Sequence, residues 1–309
     1  MHKILITEPE YFPEDTIAIF KQIGNVISKR LYGKKLLKEI KDVDILVVRV
    51  ETLVDKTLLR NAKKLKIIAS ATTGIEHIDV IEAENRGIKI ISLHGTHTLP
   101  TAEYTFALIL SLIRKIPWAF EHMKKGKWDR YKFFGKEMEG KTLGIIGLGK
   151  IGGKVSAYAK TFGMNVVAYD PYADVERTRE LDVELTSLED VLKKSDVITI
   201  HSLLTKETES MIDIKELEMM KSSAFLVNTA RGSIVNEKAL LKALKNGLIA
   251  GAALDVYSSE PIEDGNELVK YARENDNLLL TQHIAASTEE SIRNAAIYVA
   301  QKVRETIGK

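Results

Sequence analysis

The stretch Gly140-Lys-Thr-Leu-Gly-Ile-Ile-Gly-Leu-Gly-Lys-Ile-Gly-Gly-Lys-Val155 decides how the rest of the chain is read. Its apolar run from Leu143 to Ile146 stops at Gly147, and Gly147, Gly149 and Gly152 then spell G-x-G-x-x-G. A helical pattern follows through Val155, Tyr158, Ala159 and Phe162. A second apolar run, Val166-Val167-Ala168-Tyr169, ends in Asp170, roughly twenty residues beyond the first glycine. Strand, glycine turn, helix, strand and acid in that order separate a dinucleotide-binding fingerprint from an ordinary glycine-rich turn. Gly147 permits the sharp turn, Gly149 lets the backbone approach a pyrophosphate, and Gly152 lets the helix pack on the strand. Lys150 and Ile151 open the helix, whose N-terminal N–H groups and positive dipole end suit phosphates. Asp170 can accept hydrogen bonds from a ribose diol and would repel a 2′-phosphate. The expected cofactor is therefore NAD rather than NADP, and Arg177 and Arg179 lie farther along the chain, poorly placed to reverse that choice.

The 309 residues suffice for two domains, and 45% apolar with 28% charged residues is ordinary globular composition. The net charge is +2, and the lysines are scattered in pairs such as Lys34-Lys35 and Lys193-Lys194. Without a basic stripe, no nucleic-acid partner is expected. No apolar run reaches membrane-spanning length, so no membrane partner is expected either. There is no cysteine, so thiolate and disulfide chemistry are excluded. The N-terminal run Met1–Thr7 reads as a first strand, not a signal peptide, and cytoplasm is the expected compartment.

Residues 1 to about 95 alternate strand-like runs (Ile4–Thr7, Val26–Ser28, Ile45–Arg49, Ile67–Ala71, Ile88–Ser92) with helical patterns at Asp15–Ile23, Lys56–Ala62 and Ile78–Arg86. Such alternation predicts a parallel sheet covered by helices on both faces. A helix is expected from about Pro100 to Ile116, apolar nearly all round and so buried, needing more cover than one small domain provides. An irregular aromatic segment with Trp118, Phe120, Trp128, Tyr131, Phe133 and Phe134 should follow it. Its aromatics suit either an interface or packing on the chain's own core; with the apolar helix short of cover, a homodimer built on both stretches is expected. Beyond the fingerprint, strands should end at Ile200, Asn228, Asp255 and Thr281, and an amphipathic helix should close the chain at about Thr288–Ile307.

In an open parallel sheet, ligands bind beyond the carboxyl ends of the strands. Three chemistry-bearing residues follow such ends: Arg231 after Asn228-Thr-Ala, Glu260 after the strand ending at Asp255, and His283 after Thr281-Gln282. Arg231 can hold a carboxylate and an adjacent carbonyl with its planar fork. His283 can move the hydroxyl proton, and Glu260 can orient it and favour its charged form. Singly each could be a surface or loop residue; together beside the fingerprint they suit hydride transfer to a carbonyl next to a carboxylate. Of the other histidines, His2 and His122 read as surface. His94 and His97 are spaced H-x-x-H but lack a third ligand, so no metal is expected. His77 begins a helix, and His201 borders the cofactor groove.

These residues resemble the D-isomer-specific 2-hydroxyacid dehydrogenase family, which includes D-3-phosphoglycerate dehydrogenases and glyoxylate and hydroxypyruvate reductases. The matching stretches are Gly140–Gly152, His201–Thr208, Met220–Gly232, Gly247–Pro261 and Thr281–Thr288. The resemblance implies an α/β fold of two doubly wound parallel-sheet domains, with a Rossmann nucleotide-binding domain (97–287) inserted into a flavodoxin-like substrate domain (1–96 and 288–309). It implies Arg231, Glu260 and His283 as the catalytic trio. It adds His201, Leu203, Thr208, Thr229, Ala230, Asp255 and Ala285 to the residues lining the cofactor, along with Arg231 and His283. It also implies a dimer clasped through the 100–140 region. Three positions depart from the pattern: Leu203 replaces a proline, Gln282 stands in the family's Thr-Pro-His, and His97 replaces an asparagine.

Specificity is expected from strand-end loops of the first half. Arg49 is either a structural ion pair or a second cation besides Arg231, and the Thr73-Gly74-Ile75 backbone suits a carboxylate. Two cations favour a substrate with two anionic ends, which points to D-3-phosphoglycerate and serine biosynthesis. The length agrees with a short phosphoglycerate dehydrogenase without a C-terminal regulatory domain. Glyoxylate or hydroxypyruvate reduction is the next reading. A regulatory protein that senses NAD(H) without turnover is the alternative of another class, and a structural protein with a vestigial site is a third.

Overall fold

The computed structural model describes residues 1–93, 95 and 97–308. It divides into two units, Met1–His97 with Ser287–Lys309, and Thr98–Ala286. The first unit is wound as β1 (His2–Ile6), α1 (Glu14–Ile23), β2 (Gly24–Ser28), α2 (Gly33–Glu39), β3 (Ile45–Val48), α3 (Lys56–Asn61), β4 (Ile67–Ser70), α4 (Val80–Asn85) and β5 (Lys89–Ile91). Its five strands are parallel in the order β2-β1-β3-β4-β5, the flavodoxin-like winding. Successive strand residues face opposite sides, and β1 shows the result: Ile4 and Ile6 join one core cluster, Leu5 the other. Helices α2, α3 and α4 cover Leu5, Leu46, Val48 and Ile68 with Leu36, Leu58, Leu59 and Ala83.

The second unit runs α5 (Thr98–Ile113), α6 (Ile116–Lys124), β6 (Thr142–Ile146), α7 (Lys150–Thr161), β7 (Asn165–Tyr169), α8 (Val175–Leu181), β8 (Glu184–Leu185), α9 (Leu188–Lys194), β9 (Val197–Ile200), α10 (Ile214–Met219), β10 (Phe225–Asn228), α11 (Glu237–Lys245), β11 (Gly251–Leu254), α12 (Glu267–Glu274) and β12 (Leu278–Leu280). The seven parallel strands lie in the order β12-β11-β10-β9-β6-β7-β8. The order reverses between β6 and β9, so the crevice expected at a switch point opens beside the glycine turn. Strands β9, β10 and β11 are buried along their whole length, as expected when helices cover both faces. The chain then returns to the first unit as α13 (Glu289–Ile307), capped by the Thr288 side chain. Its Ala295, Ala296, Val299 and Val303 pack with Ile4, Ile6 and Val47. No helix among the described residues is long and apolar enough to cross a membrane.

Two local expectations are corrected. Residues 116–124 form helix α6 rather than an irregular segment. Lys115 takes a left-handed backbone, φ 55°, that breaks α5, and Pro117 then suits the first turn of a new helix. The cover of α5 also comes largely from its own unit: Phe106, Ile109 and Leu112 pack with Leu143, Ile145, Val155 and Val227. What stays open on α5 is a line through Leu99, Glu103 and Ala107.

Candidate active site

Gly147 closes β6 with φ 94°. A Cβ there would lie 2.8 Å from the His201 carbonyl carbon and from Ser202 N, and a Cβ on Gly152 would lie 2.3 Å from Gly147 O. Both positions therefore require glycine. Gly149 differs: a Cβ there would meet nothing within 4 Å, so space is open over the backbone at the N-terminus of α7. Asp170 ties the second strand to this turn. Its Oδ2 accepts from Leu148 N at 2.8 Å and its Oδ1 from Tyr172 N at 2.9 Å. A carboxylate oxygen can accept more than one bond, so capacity for a ribose diol remains. The open space and the acceptor pair fit a dinucleotide. Arg177, expected to lie away from this position, instead donates from Nη2 to Gly149 O at 3.2 Å, so the first turn of α8 leans on the glycine turn.

The other cofactor-side residues lie along the same sheet edge. Lys150 is exposed and Ile151 half-buried in the first turn of α7. His201 closes β9 with its Nε2 3.0 Å from Thr199 Oγ1, and burial pushes its pKa down to about 3, so it is a neutral ring. Leu203 projects into solvent, 79% exposed. Thr208 Oγ1 donates to Leu203 O at 2.6 Å and accepts from Thr205 N at 2.8 Å, which closes the loop that lacks the proline. Thr229 Oγ1 is buried 2.7 Å from Thr105 Oγ1.

The trio is assembled by three strand-end turns. Asn228, fully buried, accepts from Ala230 N at 3.0 Å and donates from Nδ2 to Arg231 O at 2.9 Å. This side-chain turn sets Arg231 beyond β10, with its Nη1 on Ala230 O at 2.8 Å. Gly232 follows because a Cβ would sit 1.9 Å from the Tyr257 carbonyl carbon, so the turns after β10 and β11 are pressed together. Glu260 Oε1 accepts from Tyr257 N at 2.9 Å, and Oε2 lies 2.6 Å from His283 Nδ1. Asp255, wholly buried, accepts from Thr281 Oγ1, Ile284 N and Ala285 N at 2.6, 3.0 and 2.8 Å. The Glu260 hydrogen bond raises the pKa of His283 above its ordinary value, against burial. Burial would push Glu260 up, but its bonds to His283 and Tyr257 N hold it below the ordinary carboxylate value. Both shifts favour the imidazolium–carboxylate form of the pair. Sequence reasoning missed Asn228, Tyr257 and Thr281. Only Asn228 carried a signal, as a turn-forming residue at a strand end.

In the first unit, the buried Glu8 carboxylate accepts from the N–H groups of Arg49, Glu51 and Thr52 at 2.9, 3.3 and 3.1 Å. That fixes the loop after β3. Arg49 is 8% exposed, and its guanidinium lies 4.3 Å from the Tyr11 ring centroid. Its Nε and Nη1 are buried without a partner, and no ion pair closes on it among the described residues. Burial lowers its pKa from the usual arginine value. His97 Nδ1 lies 3.0 Å from Ser291 Oγ, and its Nε2 is buried without a partner. Burial, with the nearby Arg49 charge, pushes its pKa down to about 4. His94 lies outside the described residues. Thr72 Oγ1 donates to Gly74 O at 2.7 Å, and the N–H groups of Thr73, Gly74 and Ile75 have no backbone partner among the described residues. His77 precedes α4 rather than beginning it; its ring bonds Ser70 Oγ at 3.2 Å, and burial lowers its pKa to about 4.

Residues 106–285 match the model of the D-isomer specific 2-hydroxyacid dehydrogenase, NAD binding domain. The chain is 42% identical to a D-3-phosphoglycerate dehydrogenase of Methanocaldococcus jannaschii over 99% of its own length and 58% of that protein's. It thus spans little more than half of that relative. It is 36% identical to a hydroxypyruvate reductase of Thermotoga maritima over 99% of both chains. A D-lactate dehydrogenase from Aquifex aeolicus, solved with NAD and lactic acid, superposes with a TM-score of 0.87 at 28% identity, covering 99% of this chain and 95% of that one. Two parallel α/β units, a glycine turn built for a dinucleotide, and a match across more than half the chain agree: this protein belongs to the D-isomer specific 2-hydroxyacid dehydrogenase family.

Proposed function

We propose that the chain is an NAD-dependent oxidoreductase of small D-2-hydroxyacids and their 2-keto acids. The observation that carries this reading is the 2.6 Å contact of His283 Nδ1 with Glu260 Oε2, on the same sheet edge as Arg231 and the glycine turn. Bound at Gly147, Gly149 and Gly152, the nicotinamide cofactor would supply or accept the hydride. Arg231 holds the substrate carboxylate and draws electron density from the neighbouring carbonyl. The His283 imidazolium gives its Nε2 proton to the carbonyl oxygen on reduction, and the neutral ring takes it back on oxidation. Glu260 keeps Nδ1 engaged, so the reacting proton is the one on Nε2.

The substrate reading favours D-3-phosphoglycerate and a role in serine biosynthesis. Arg49 supports it: two buried, unpartnered N–H donors invite an anion, since leaving them unpaired costs free energy. The N–H groups at Thr73, Gly74 and Ile75 suit a carboxylate. Hydroxypyruvate or glyoxylate is the second choice, because relatives of nearly equal identity carry those names. An NAD(H)-coupled panel of 3-phosphoglycerate, hydroxypyruvate, glyoxylate and pyruvate ranks them by kcat/KM, and 3-phosphoglycerate is expected first. A flat response across the panel would remove the reading. The protein is proposed to work in the cytoplasm.

Cofactor choice follows from Asp170. Its carboxylate would repel a 2′-phosphate, and Arg177, already engaged with Gly149 O, offsets only part of that. NAD should exceed NADP by at least about tenfold in kcat/KM, roughly 1.4 kcal/mol. Equal values would place Arg177, not Asp170, in control.

Assembly as a homodimer rests on the second unit's exposed large side chains. Ile116, Phe120, Met123, Trp128, Tyr131 and Phe134, all within residues 116–134, are each more than half exposed, and large apolar side chains left to solvent in one segment suit an interaction face. Light scattering at micromolar concentration should give twice the 34.6 kDa chain mass. A strictly monomeric mass would rule the dimer out.

A further inference from the structure

Tyr257 touches Glu260 and the turn that carries His283. Its backbone N–H donates to Glu260 Oε1 at 2.9 Å. Its hydroxyl donates to the Thr281 carbonyl oxygen at 2.7 Å and lies 3.3 Å from Leu254 O. The ring is only 7% exposed, and Gly232 presses on its backbone, so the hydroxyl has one place to be. Thr281 is the last residue but one before His283. Beyond it, His283 takes a left-handed backbone, φ 54°, a conformation that costs a non-glycine residue free energy and persists only when its surroundings impose it.

The residue between them imposes nothing. Gln282 is exposed, and its N–H makes no hydrogen bond among the described residues. A proline at 282 would fix its own φ and restrict Thr281 to extended conformations. Here the backbone carries no such lock. The turn is held instead from outside, by Asp255 on Thr281 Oγ1 and on the N–H groups of Ile284 and Ala285, and by Tyr257 on the Thr281 carbonyl. Asp255 grips the side chain before His283 and the backbone after it. Before it, the Thr281 N–H donates to Leu254 O at 3.0 Å, and Tyr257 holds the Thr281 carbonyl, the backbone group next to the Gln282 turn.

We propose that Tyr257 is a positioning residue: its hydroxyl fixes the Thr281 carbonyl and thereby holds the unlocked Gln282 turn so that His283 stays on Glu260. This rests on the assignment of His283 as the proton donor, and the test therefore includes a readout that needs no turnover.

Tyr257→Phe removes one oxygen and keeps the buried ring. The imidazole of His283 is titrated by NMR in the wild type, in Tyr257→Phe and in Tyr257→Phe/Gln282→Pro, with the resonance assigned by its loss in His283→Ala. In Tyr257→Phe the His283 titration should move down towards the ordinary value, because its bond to Glu260 is no longer enforced. Adding Gln282→Pro should restore it. In parallel, kcat for a 2-keto acid should fall about tenfold, a part of what the proton donor contributes, with NADH affinity changed by no more than about twofold. The double variant should regain most of the kcat. An unshifted His283 titration in Tyr257→Phe, or a shift that Gln282→Pro fails to reverse, overturns the proposal. If the wild type turns over no 2-keto acid, the proposed function falls, and the titration still decides whether Tyr257 positions His283.

Discussion

Replacing His283 with alanine should lower kcat by about two to four powers of ten, the usual contribution of a positioned acid or base. Its surroundings favour the charged ring: Glu260 bonds its Nδ1 and outweighs burial. The half-buried histidines His77, His97 and His201 are all pushed the opposite way and cannot replace it. NADH affinity should survive, because the glycine turn and Asp170 make no hydrogen bond with His283. The partner variant, Glu260→Gln, should act through pH. Without the carboxylate the His283 pKa falls. Oxidation needs the neutral ring, so its acid limb should move to lower pH; reduction needs the imidazolium, so its basic limb should move the same way. Steady-state kinetics across pH in both directions checks both statements. Wild-type kcat in His283→Ala would refute the assignment.

Arg49→Ala should have the second largest effect, and a selective one. Arg49 brings a buried cation whose Nε and Nη1 have no partner, beside a Tyr11 ring that holds the guanidinium plane. Removing one side of a desolvated charge pair costs roughly 2–4 kcal/mol, about 30- to 1000-fold in kcat/KM. That loss should fall on 3-phosphoglycerate, while hydroxypyruvate and glyoxylate, which lack the phosphate, should change by only a few fold. Arg49→Lys should recover part of the loss, since an ammonium keeps the charge without the fork. A uniform loss across substrates, or an unchanged ranking, would contradict the two-cation argument.

The features legible in the sequence were those fixed by local rules. The glycine turn is one, because strand, turn and helix are contiguous in the chain and the spacing of Gly147, Gly149 and Gly152 is itself the signal. The trio is another, because a parallel sheet delivers every strand end to one edge; Arg231, Glu260 and His283 could be placed there without coordinates. What the sequence hid depends on contacts between residues far apart in the chain. Tyr257 reaches the Thr281 carbonyl across 24 positions, and Arg177 reaches Gly149 across 28; neither leaves a periodic or compositional trace. Helix α6 was hidden for a different reason. Its helical start depends on the left-handed Lys115 just before Pro117, a backbone choice that a lysine does not announce. For α5 the apolar pattern was read correctly as burial, but the neighbouring strands and α7 supply most of the cover, which shifts the dimer argument onto the exposed aromatic side chains.

The most direct test of hydride transfer to a 2-keto acid follows the hydride itself. The protein is incubated with NADH deuterated at nicotinamide C4 and with phosphohydroxypyruvate, hydroxypyruvate or glyoxylate, and the product's label and configuration are determined. Deuterium at C2 of the 2-hydroxyacid, in the D configuration where C2 is stereogenic, is the predicted result, with the yield collapsing in His283→Ala. Binding of NADH with no labelled hydroxyacid from any of the three would contradict it and identify a nicotinamide-sensing protein in place of an enzyme.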